Sequence, residues 1–145
     1  MASENRSATD PVALFQRLRE APYRFDLFQA LRRLECAFPD RPRLAESQHV
    51  QDDSVRLGQE PSMAFAPSVI SSFEAGKDDR PGRLRVLHPG LFGPNGPLPL
   101  RLTEFARERQ FNARDQTFSR FADIFHHRLL SLFYRAWATA QPAVQ

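Results

Sequence analysis

Cysteine is all but missing from this 145-residue chain: Cys36 stands alone, which excludes an intrachain disulfide and a multi-cysteine metal site and fits a reducing compartment. Lysine is equally scarce. Of twenty basic residues nineteen are Arg and only Lys77 is not. Aromatics other than Phe are few as well, two Tyr and one Trp against thirteen Phe, so a Phe-rich core is expected. No stretch approaches the roughly 18 apolar residues of a membrane span. The N-terminus MASENRSATD lacks an apolar segment behind a basic start, so no signal peptide is expected and the protein reads as soluble and cytoplasmic, without direct membrane insertion. There is no internal repeat, nucleophile elbow, HExxH, EF-hand loop or paired-carboxylate spacing. The net charge is only +3, with the arginines interleaved among seventeen acids, so no basic stripe suggests nucleic acid.

What is present is dominated by one stretch, Asp115 to Ala140, within the longest run free of Pro and Gly. At roughly 100° per residue, Phe118, Phe121, Ala122, Phe125, Leu129, Leu132, Phe133 and Ala136 share about a third of the circumference, a stripe predicted to face the core. Leu130, Tyr134 and Trp137 form a second apolar strip beside it. Arg120, His127, Arg128, Ser131 and Arg135 occupy the remaining face, and Asp115 is a predicted N-cap. So wide an apolar sector exceeds what one core needs.

Along the chain, residues 1–9 are polar and read as a disordered N-terminus, with 10–145 a single domain. Asp10-Pro11 starts a short amphipathic helix carrying Val12, Leu14, Phe15 and Leu18, ended by Ala21-Pro22. A second helix is predicted from Tyr23 to Phe38, stopped by Pro39. From Pro39 to Asp53 the composition predicts a long loop. Short strands follow over Ser54–Leu57, Met63–Ala66, Val69–Phe73 and Arg83–His88, with GKDDRPG as a turn. The result is an α+β fold, mainly α-helical, with a small antiparallel sheet between N-terminal and C-terminal helices. The segment GLFGPNGPLP at 90–99 reads as a rigid loop tipped by Leu91, Phe92 and Leu98, and a helix capped by Thr103 follows to Ala113.

Two constellations invite chemistry. Gly90, Gly93 and Gly96 suggest a phosphate loop, but Pro94, Pro97 and Pro99 remove amides that such a cradle needs. Asp123, His126 and His127 share one helix, so a small metal-dependent enzyme is the alternative reading; the other histidines, His49 and His88, lie in unrelated segments. Packing and local hydrogen bonding account for the same residues, with His126 pointing into the apolar flank. No catalytic residue, cofactor or metal ligand is assigned.

Set in order, GLFGPNGPLP, the Asp-Ile-Phe-His-His-Arg block at 123–128 and the Leu-Phe-Tyr-Arg-Ala-Trp block at 132–137 resemble the TssG family (ImpH, VasB) of type VI secretion baseplate subunits. The helix around Phe25–Leu34 and Glu60-Pro61-Ser62 with Phe65 agree with it. The resemblance spans about residues 22–138 and implies the N-terminal portion of a longer TssG-like protein. It further implies a non-enzymatic scaffold of the baseplate wedge, at the cytoplasmic face of the inner membrane. There the family bridges TssF copies and contributes to TssK attachment, with sheath and hub as indirect neighbours. Partner contacts are expected at Leu91, Phe92, Asn95 and Leu98 of the loop and at Tyr134, Arg135 and Trp137 of the helix.

Overall fold

The computed structural model describes residues 10–142, so the expected disorder at 1–9 lies outside the described residues. Four helices surround a three-stranded sheet, an α+β arrangement. Helix α1 spans Pro11–Glu20, and the Asp10 carboxylate accepts from the Val12 amide as its cap. The second predicted helix divides: Pro22–Arg24 is a single 3₁₀ turn, and α2 runs over Leu27–Ala37 behind Asp26, which accepts from the Gln29 amide. Asp26 sets the start of α2, while the turn ahead of it has no side-chain cap.

Strands β1 (Val55–Gln59), β2 (Ile70–Glu74) and β3 (Gly82–Val86) follow, while the predicted strand at Met63–Ala66 is irregular backbone. The sheet is mixed rather than antiparallel. Its order is β1-β3-β2, with β3 antiparallel to β2 and parallel to β1. The loop from Ala75 to Pro81 turns tightly through Asp78 and Asp79, whose φ values of 50° and 63° are a conformation that short polar side chains tolerate. The hairpin it makes inserts β3 between the older strand and its own partner. That insertion, which no alternation of side chains records, makes the first pairing parallel.

Period-two alternation in β1 and β3, and a bulge between Ile70 and Ser72 in β2, put Val55, Leu57, Leu84, Val86, Ile70 and Phe73 on one sheet face, where they join Leu14, Leu18, Leu31 and Leu34 of α1 and α2 in the main core. Residues 39–54 form the expected loop, yet it is fastened. Arg41 donates to the carbonyls of Asp53 and Asp79, and Leu44, fully buried, donates its amide to Glu35. Helix α3 covers Leu100–Phe111 and α4 covers Thr117–Thr139, a rod of about 35 Å at 1.5 Å per residue. Asp115 accepts from the Thr117 amide just ahead of α4, so the predicted cap acts one position early.

Candidate partner interface

Strand β1 lies at the sheet edge, and an edge strand carries amides that no neighbouring strand can satisfy. Helix α4 satisfies them with side chains. The Leu57 N–H donates to His127 Nδ1 at 3.0 Å, and the Gln59 N–H donates to Asp123 Oδ1 at 3.0 Å. Because Nδ1 of His127 accepts, its proton sits on Nε2, which donates to the buried Asp53 carboxylate at 2.7 Å. His126 is the mirror case: Nε2 accepts from the Leu91 N–H at 3.0 Å, and Nδ1 donates to Asp123. Neither ring keeps a free nitrogen. Helix and strand approach so closely that a Cβ on Gly58 would lie 2.5 Å from Asp123 Oδ2.

This bonding decides which side of α4 faces inward. The helix turns Ser119, Ala122, His126, His127, Leu130, Ser131, Tyr134 and Ala138 inside. The expectation of a core-facing Phe stripe is thereby overturned. Phe121, Ile124, Phe125, Leu129, Leu132 and Phe133 are between 46% and 65% exposed, and Ala136 is exposed with them. Of the predicted stripe only Ala122 is buried, with Phe118 half-buried against Phe92. The inward face instead satisfies the strand-edge amides, each of which would cost about 1–3 kcal/mol if buried without a partner. Six half-exposed side chains of this size leave on the order of 600 Å² of apolar surface, the upper end for the largest patch on a soluble monomer. Phe105 of α3, itself exposed, meets Phe118 edge-on at 5.5 Å and extends the patch.

The 90–99 loop is rigid by side-chain capture of its backbone. Three successive amides, Leu91, Phe92 and Gly93, donate to His126, Gln59 Oε1 and Thr103 Oγ1. Gln59 also donates to the carbonyls of Leu87 and Phe92. Thr103 therefore anchors the loop instead of capping α3, which begins earlier at Leu100. Gly93, at φ 102°, sits where other residues would be strained. Amides so occupied offer nothing to a phosphate.

The sequence-predicted contact residues separate into two groups. Phe92 is 2% exposed and Tyr134 is fully buried, so both find their partners within the chain. Tyr134 donates to Glu35 at 2.6 Å, and burial, reinforced by that bond, pushes its hydroxyl pKa well above the ordinary value. Arg135 is held by Glu35 at 2.8 Å and by the Leu44 carbonyl at 3.0 Å. Trp137 is half-buried and stacks on Phe28 at 4.9 Å. Leu91 and Leu98 are half-buried, and Asn95 is exposed at the loop tip. Sequence reasoning missed the outward residues of α4 because periodicity defines two faces without saying which is inside. The DxxHH run with Ser131 and Tyr134, facing Glu35 and a strand edge, was the available signal.

Among the described residues no helix is long and apolar enough to cross a membrane, and no three His, Cys, Asp or Glu side chains converge as metal ligands. A family model described as Type VI secretion, TssG matches residues 21–145. No curated protein and no solved structure matches the chain.

Proposed function

The chain belongs to the type VI secretion TssG family, and from that premise we propose that it is a structural subunit of the baseplate wedge that binds TssF through the outer face of α4. One observation carries the reading: a long helix directs its histidines, serines and tyrosine inward and Phe121, Ile124, Phe125, Leu129, Leu132 and Phe133 outward. An amphipathic helix so oriented is half of an unfinished core, the character of permanent interfaces. With Phe105 of α3, which meets Phe118 of α4, the apolar surface nears the roughly 800 Å² that each partner contributes to a standard interface. Phe92 and Tyr134 become supports for this surface. The 90–99 loop, with Pro94 and Asn95 exposed on a fixed base, is the proposed contribution to TssK attachment, with Leu91 and Leu98 half-buried in it and Arg135 and Trp137 half-buried on α4. Assembly in a wedge would place the protein at the cytoplasmic face of the inner membrane.

Co-purification tests this. Tagged wild-type chain should recover TssF, and a Phe125→Ser, Leu129→Ser double variant of unchanged stability should not. Recovery at wild-type levels by that variant would contradict the proposal.

A further inference from the structure

The sheet face turned away from α1 and α2 carries arginines. Arg56 on β1 and Arg83 on β3 are direct partners in the parallel register, and period-two geometry sends both side chains to that face. Arg120 of α4 joins them around an open pocket of about 200 Å³ whose other walls include Val50, Leu57 and Ile124. Like charges directly opposite on adjacent strands are destabilising. Yet among the described residues none of these three guanidiniums forms an ion pair. Asp123, the carboxylate lining the pocket, already engages the Gln59 amide and His126 through one oxygen. Burial and then the fields of Arg120, Arg85 and Arg56 lower the Arg83 pKa, with the field of Asp123 acting against them.

Ile124 belongs both to this pocket and to the exposed apolar face of α4, so whatever covers one meets the other. The geometry points to a docking site for a carboxylate: the partner segment that covers the α4 face carries an Asp or Glu side chain that enters between Arg56, Arg83 and Arg120. Guanidiniums bind carboxylates through two parallel N–H bonds, and a partner that covers the pocket raises the strength of such a pair by excluding water. The small volume suits one side chain, whereas nucleic acid would need a basic track leading out of the pocket. This rests on the reading that α4 binds TssF.

The test is a pair of measurements on Arg83→Met and Arg120→Gln, namely thermal unfolding of the chain alone and affinity for purified TssF. Removing one of three crowded positive charges should leave the unfolding temperature unchanged or higher. Affinity should fall about tenfold or more, as for truncation of a desolvated charge pair, and its dependence on salt should weaken. Wild-type affinity in both variants overturns the inference, and so does a loss of affinity that follows a loss of stability. It is also overturned if wild type binds inorganic phosphate or duplex DNA, the variants do not, and TssF affinity is unaffected. When Phe125→Ser, Leu129→Ser abolishes TssF binding and the arginine variants do not, only the pocket assignment fails. When wild type itself does not bind TssF, the α4 reading fails and the pocket with it.

Discussion

Single residues hold the strand edge, and each makes a separable claim. Gly58 admits α4, so Gly58→Ala, whose methyl group meets the Asp123 carboxylate, should cost about 1–3 kcal/mol of stability in urea unfolding. A wild-type midpoint would show that the helix can withdraw freely. Tyr134→Phe removes the hydrogen bond to Glu35 and should cost about 1.5–3 kcal/mol at neutral pH, the range for bonds to charged acceptors. Its pH dependence has a definite sign. The folded chain keeps the Tyr134 proton more tightly than the unfolded chain, so the stabilisation is complete below about pH 10 and is lost above it, as the unfolded phenol ionises first. Between pH 9 and 11 wild type should lose about 1 kcal/mol more than Tyr134→Phe. Parallel losses would mean that the phenol is not held neutral by its surroundings.

Elements show where a sequence is legible and where it is not. The Asp10-Pro11 start, the turn at GKDDRPG and the extent of α4 follow from local chemistry, namely caps, turn residues and period, whereas the 90–99 loop is held in place by Gln59, Thr103 and His126. The rotation of α4 about its axis does not, because it is fixed by amides of Leu57 and Gln59, some 65–70 residues earlier in the chain. Nor does the parallel pairing of β1 with β3, which depends on a hairpin inserted later. The candidate site was legible as an excess of apolar surface on α4 and misread in its direction. Opposite faces of the helix should therefore respond oppositely to substitution. His127→Ala strands the Leu57 amide and the Asp53 carboxylate and should destabilise the chain by about 1–3 kcal/mol or more. Leu129→Ser, on the outer face, should stay within about 0.5 kcal/mol of wild type. The reverse order of unfolding temperatures would restore the Phe stripe to the core.

At the scale of the molecule, one compact core is complete and one helix face is not. The main core closes around the sheet with α1, α2 and the inner face of α4, and a smaller cluster of Phe92, Ala106 and Ala122 seats the loop and α3. The surface that remains is apolar along α4 and positive beside it, which suits a subunit whose burial is finished by a neighbour. In a Cys36→Ser background, a Leu129→Cys substitution reads that face through its rate of thiol alkylation. The free chain should react at the rate of an unhindered surface thiol, and saturating TssF should suppress the reaction. Slow alkylation of the free chain, or fast alkylation unchanged by TssF, would contradict an outward face reserved for that partner.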